Sequence, residues 1–180
     1  MKAVRLHQYG SPEVLSLDEV PVPEPASGEV LIKVAAAGVN YADVMRRRND
    51  SYPEPTPLPF TLGIEVAGTV AAVGDGVTFP SVGTLVFAAP GAGGYAQYVA
   101  VPAKQVIPIP PQLDAVKAAA IVVQGLTASL VLNTAGRLQP GESVLIQGAA
   151  GGVGTLAVQL AKLFGAGHVI AAASSPAKLE

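Results

Sequence analysis

The 180 residues are enough for one large domain, or for a small domain with part of a second. Half of them are hydrophobic and 13% are charged, which excludes a disordered tail. The formal net charge of -2 gives no electrostatic basis for binding nucleic acid or an anionic membrane. With no cysteine, disulfides, thiolate nucleophiles and cysteine-ligated metal sites are excluded.

Lys2 to Leu6 alternates as a strand does, and no signal peptide is expected ahead of it. Glycines and prolines are spread along the chain, which predicts many turns between short elements. Up to about Pro111 the apolar runs 30–34, 65–70, 84–87 and 95–99 read as strands of an all-β barrel or sandwich. A short helix is expected over 41–48, after a turn in which Asn40 reads as a left-handed residue. Arg46, Arg47 and Arg48 read as the solvated end of that helix, and Asp43 as a residue of its first turn. Pro53, Pro55, Pro57 and Pro59 then impose an extended loop, in which Tyr52 by itself is an ordinary tyrosine. Tyr95 and Tyr98 read as barrel core.

From Leu113 the rhythm changes. Residues 113–133 read as a helix interrupted near Gly125, and Pro140-Gly141 makes a turn. Residues 143–147 and 168–173 read as buried strands. Between them Val153, Leu156, Ala157, Leu160, Ala161 and Phe164 fall at helical spacing, ended by Gly165 and Gly167. Strand, helix and strand form a βαβ unit and predict a parallel sheet. No uninterrupted apolar run reaches the roughly 18 residues of a membrane span, so a soluble, cytoplasmic protein is expected.

The first strand and its helix are joined by Gly148-Ala149-Ala150-Gly151-Gly152-Val153-Gly154. A dinucleotide site needs a tight turn, a position without Cβ where pyrophosphate meets backbone, and a glycine that lets helix pack on strand. The helix start supplies unpaired N–H groups and the positive end of the dipole. Gly151 and Gly154 meet the last two needs; the usual first glycine falls on Ala149, with Gly148 one residue earlier. The bland alternative is a turn that uses glycine only for packing. About twenty residues on, where NAD sites carry an acid, the chain reads Ala173-Ser174-Ser175-Pro176-Ala177-Lys178. No carboxylate would repel a 2′-phosphate there, and Ser174, Ser175 and Lys178 could bind one, which favours NADPH. By itself Lys178 is a solvated helix residue.

Gly141-Glu142-Ser143-Val144-Leu145, residues 149–154, Gln159 and Lys162 together resemble the signature of the quinone oxidoreductase and zeta-crystallin group of the medium-chain dehydrogenase/reductase superfamily. Pro23-Glu24-Pro25, Gly28-Glu29-Val30, residues 38–43 and residues 63–68 are similar to that superfamily's GroES-like catalytic domain. The resemblance implies an α/β fold with a β-rich GroES-like substrate domain over 1–120. The start of a Rossmann-type parallel sheet, incomplete, follows over 121–180. The family's chains continue well past the second strand, so a truncated chain is expected in preference to one completed by another chain, homodimeric when full length. Zinc alcohol dehydrogenases carry Cys in place of Asn40 and His in place of Ile64. This chain offers only His7 and His168, so no metal is expected and Glu65 is expected to serve as a hydrogen-bonding residue.

The resemblance further implies that Asn40 and Tyr52 face nicotinamide and substrate as the catalytic pair, and that Thr127 lies near the nicotinamide. Thr127 otherwise reads as a hydroxyl satisfied inside its helix. Ala150, Gly151, Gly152, Val153 and Gly154, with Ser174, Ser175 and Lys178, complete the expected cofactor site. The activity implied is NADPH-dependent hydride transfer to a quinone or α,β-unsaturated carbonyl, without metal. The alternatives are an enoyl-thioester reductase of the same superfamily and a non-catalytic NADPH-binding structural or interaction protein.

Overall fold

A computed structural model describes residues 1–178. Two compact units divide the chain, Met1–Ala120 and a second from Ile121.

The first unit is β-rich. Strands β1 (Lys2–Leu6), β2 (Leu15–Glu19) and β4 (Phe60–Thr61) form one antiparallel sheet in the order β2-β1-β4. Strands β3 (Glu29–Ala37), β5 (Val66–Val73), β6 (Leu85–Ala88), β7 (Tyr98–Pro102) and β8 (Val106–Pro108) form a second, in the order β7-β3-β5-β6-β8. The inward positions are almost all β-branched: Val30, Ile32, Val66, Val70, Val86, Val99, Val101 and Val106 share one core with Ala88. Such side chains fit a pleated, half-buried surface, and each contributes roughly 1.5–3 kcal/mol on full burial. Irregularities between Leu31 and Ile32 and between Val34 and Ala36 bend β3 against β5. Helix α1 (Tyr41–Arg48) follows β3 after Gly38, Val39 and Asn40.

The run 95–99 becomes a strand only from Tyr98. Before it, the N–H groups of Gly93, Gly94 and Tyr95 donate to the carbonyls of Thr61, Gly63 and Leu62, which crosses the chain over β4 instead of extending β7.

Helix α2 (Ala115–Ser129) carries the chain into the second unit and continues through a π-helical stretch, Leu130–Ala135. The expected break at Gly125 does not occur. A glycine inside a helix costs only about 1 kcal/mol relative to Ala, too little to break a helix of this length. Together the two segments span 21 residues with mean hydropathy 1.8, long and apolar enough by length and composition to cross a membrane. No uninterrupted apolar run of that length is present: Lys117, Gln124, Thr127, Ser129, Asn133 and Thr134 interrupt it, and the helix is apolar only on average.

Strands β9 (Ser143–Gln147) and β10 (His168–Ala172) pair in parallel, joined by helix α3 (Gly152–Leu163). Ala157 and Ala161 of α3 pack with Ile146, Ala149, Ala128 and Leu132 into a separate core. The strands are less buried than expected. Leu145 and Ile170 are exposed, because α3 covers one face of a two-stranded sheet and alternate side chains point to the other. The α/β class, with a β-rich first part and the start of a parallel sheet, is the one read from the sequence.

Candidate functional site

In the first unit the site is built around the two ends of α1. Asn40 is the N-cap, extended at φ -119 and ψ 155. This corrects the left-handed reading: a residue leading straight into a helix keeps β-region angles. The left-handed position is Asn49 at the other end, φ 55. The Asn40 N–H donates to Asp43 Oδ2 at 2.9 Å while the Asp43 N–H donates to the Asn40 carbonyl at 3.0 Å. The Asn40 amide Nδ2 donates to Glu65 Oε1 at 2.8 Å, and Glu65 is 1% exposed. One face of the Asn40 side chain is thereby fixed by a buried carboxylate.

Asp43 is more than a residue of the first turn. Its carboxylate is 4% exposed and also accepts the Gly63 N–H at 3.0 Å and the Tyr95 hydroxyl at 2.8 Å. Three donors thus satisfy a buried charge and tie the α1 start to two loops. Burial, then the Asp43 carboxylate, push the Tyr95 phenol well above its ordinary value. Tyr95 is half-buried and works through its hydroxyl, which its reading as barrel core did not foresee.

Tyr52 lies beyond the other end of α1, half-buried, with the Arg46 guanidinium 4.0 Å from its ring centroid. Arg46 and Arg47 are buried, so the arginine run is not a solvated end; Arg48 alone is exposed. Arg46 reaches back to Glu54 Oε2 at 2.8 Å, and Arg47 Nη1 donates to the Gly10 carbonyl. The Asn-x-x-Asp spacing over 40–43 carried a signal for the capping interaction. Nothing in the local sequence marked Tyr95 or the burial of Arg46.

In the second unit, Gly148 turns the chain off β9 at φ +65, supplying the tight turn from one residue earlier than the usual pattern. Gly154 is buried, and a Cβ there would stand 2.2 Å from the Gly148 carbonyl oxygen. Gly151 is the N-cap of α3, so the N–H groups of Gly152, Val153 and Gly154 lie in a first turn without intrahelical acceptors. Beside this turn, at the C-terminal ends of β9 and β10, is a groove of about 510 Å³ lined by Gly148, Ala150, Gly151, Ala172, Ala173, Ser174 and Lys178. Lys178 Nζ donates to Ser174 Oγ at 3.1 Å, which places an ammonium and a hydroxyl together there. Ser175 does not line the groove; its carbonyl accepts the Lys178 N–H at 3.1 Å. Val153 and Gly154 line a separate apolar groove along β9. Thr127 is exposed, and its hydroxyl donates to the Val123 carbonyl one turn back at 2.7 Å.

A strand, a left-handed glycine, a second glycine pressed on the turn and an acid-free strand end occur in the order that a dinucleotide site requires. Residues 26–111 match the alcohol dehydrogenase GroES-like domain. The quinone oxidoreductase of Rattus norvegicus is 41% identical over 167 residues, 92% of this chain and 50% of that protein. The chain is homologous to quinone oxidoreductases, and quinone oxidoreductases are among the solved structures it resembles. The Escherichia coli quinone oxidoreductase complexed with NADPH superposes with a TM-score of 0.92 at 34% identity, over 99% of this chain and 54% of that one. The CurK enoyl reductase gives 0.91 at 33% identity, over 99% and 55%. The chain spans about half the length of the relatives it matches.

Proposed function

We propose that the chain is part of an NADPH-dependent reductase that delivers hydride to a quinone or an α,β-unsaturated carbonyl without a metal ion. The observation that carries the reading is the groove at the ends of β9 and β10, where Ser174 and Lys178 meet beside the glycine turn. The residues fit a phosphorylated dinucleotide. Gly154 leaves helix and turn close, the first-turn N–H groups of α3 would receive the pyrophosphate, and Lys178 with Ser174 would pair with a 2′-phosphate. Ala150 and Gly151 present no bulk on the groove wall.

The bound cofactor supplies the hydride, and everything else falls to the protein. As hydride arrives at carbon, charge develops on the acceptor oxygen and a proton must reach it. Asn40 is oriented by Glu65 and could offer its amide to the ring or the acceptor. The Tyr52 hydroxyl would hydrogen-bond the oxygen or pass it a proton. A metal has no part in this scheme: Asn40 and Ile64 stand where zinc enzymes of the superfamily place Cys and His. Among the described residues no three His, Asp or Glu side chains are grouped to hold an ion. The setting proposed is the cytoplasm and the assembly a homodimer.

The similarity to an enoyl reductase supports a second reading, reduction of an enoyl thioester. Turnover with NADPH on naphthoquinone against crotonyl thioester separates the two. Naphthoquinone reduction favours the first reading and crotonyl-thioester reduction the second. Binding of NADPH with no turnover on either points to a non-catalytic role and overturns both.

A further inference from the structure

We propose that Arg46 is the positioning residue for Tyr52, and that its planar guanidinium, clamped against the Tyr52 ring, sets how the acceptor molecule is received. The inference rests on the substrate-side role proposed for Tyr52. The helix dipole explains a cation in the last turn of α1, but not a buried one. The Arg46 side chain is 4% exposed, and such a group must find partners. Its Nη2 bonds Glu54, itself 73% exposed, and its Nε has no hydrogen-bond partner. The aromatic faces supply much of the rest: Cζ lies 4.0 Å from the Tyr52 centroid and 5.1 Å from that of Phe60. The Tyr52 ring is therefore an energetic partner of the cation.

The manner of holding is informative. Tyr9 and Tyr95 are both fixed through their hydroxyls, which donate to the Thr56 carbonyl and to Asp43. Tyr52 is gripped by its face, which leaves the hydroxyl edge out of the contact. That is the arrangement expected of a phenol whose hydroxyl serves another molecule. Lysine would not reproduce it, because an ammonium is compact and strongly hydrated and cannot lie flat on a ring while its edge bonds Glu54.

The test compares the wild type with Arg46→Lys, Arg46→Met, Tyr52→Ala and the Arg46→Lys/Tyr52→Ala double variant, using NADPH and naphthoquinone. Arg46→Lys is expected to lower kcat/KM for naphthoquinone about two- to thirtyfold, the factor that a cation–π contact of about 0.5–2 kcal/mol carries, with KM for NADPH unchanged. It should add little once Tyr52 is Ala. Independent additive losses, or an equal rise in the NADPH KM, overturn the proposal. A second arm needs no turnover: nitration of Tyr52 by tetranitromethane, located by peptide mass. Its rate should rise several-fold in Arg46→Lys and in Glu54→Gln, whose changed group lies at the surface, while Tyr95 keeps its rate. An unchanged Tyr52 rate overturns the proposal. If Tyr52→Ala turns over normally, the substrate-side role of Tyr52 fails, and the nitration arm alone decides the contact with Arg46.

Discussion

Gly154→Ala puts the most weight on the geometry of the glycine turn. A methyl group at 154 would stand 2.2 Å from the Gly148 carbonyl oxygen, 2.7 Å from Ala149 Cα and 2.9 Å from Ala149 C. All three are backbone atoms, so no rotamer change relieves the contact. Reaching ordinary van der Waals distance moves the start of α3 about 1 Å from the turn, and overpacking of this kind costs roughly 1–3 kcal/mol. The same shift carries the first-turn N–H groups of Gly152, Val153 and Gly154 out of hydrogen-bond range of a pyrophosphate. NADPH affinity should fall at least about tenfold, each factor of ten being about 1.4 kcal/mol. Gly148→Asn is the control. A Cβ at 148 meets nothing within 4 Å, and Asn tolerates the left-handed angles that φ +65 demands. Its cost in stability should stay below about 1 kcal/mol. Urea denaturation and fluorescence titration with NADPH measure both quantities. Wild-type stability and affinity in Gly154→Ala, or a larger loss in Gly148→Asn, would refute the close-approach argument.

Other outcomes follow from named contacts. Tyr95→Phe removes one of the donors to buried Asp43 and should destabilise the protein by roughly 1–3 kcal/mol at neutral pH, read by urea unfolding. Because the folded pKa of Tyr95 is raised above the ordinary 10.0, its contribution is fully present below that value and is lost as pH climbs past it. The variant should therefore lose less stability than wild type between pH 9 and pH 11. Asp18 is the opposite case: the His7 hydrogen bond, then the Ser16 hydroxyl, hold its carboxyl below the ordinary range. What it contributes is present above pH 3.8 and fades below it, so Asp18→Asn should flatten the acid limb of a Tm–pH profile. Glu65→Ala removes the 2.8 Å acceptor of the Asn40 amide and should lower kcat on naphthoquinone about tenfold or more, with little change in KM for NADPH.

The sequence carried the fold best where periodicity and punctuation agreed. The helix over 41–48 and the strand over 143–147 have the predicted bounds, because a cap or turn residue sits at the start of each and apolar spacing fills the rest. It carried least where tertiary contacts decide. Arg46 and Arg47 look solvated in any local window. They are buried because Tyr52, Glu54 and the Gly10 carbonyl fold over them from elsewhere in the chain. Tyr95 becomes a partner of Asp43 only through a crossing that brings residues 52 positions apart together. The glycine turn was legible because its chemistry is local, and Gly148 shows that the turn needs a left-handed residue at the strand end more than a fixed spacing. The apolar character of α2 and its π-helical continuation shows in the mean over the helix and not in any uninterrupted run, because polar residues punctuate it.

The preference between the two dinucleotides is decided at the 2′-phosphate end. Calorimetric titration with 2′,5′-ADP and with 5′-AMP reads it most directly, because the two ligands differ at the 2′-phosphate and need no turnover. Ser174 and Lys178 beside an acid-free strand end predict binding of 2′,5′-ADP at least about tenfold tighter, with that margin lost in Lys178→Ala. Equal affinity for the two ligands, or a margin that survives Lys178→Ala, would contradict it.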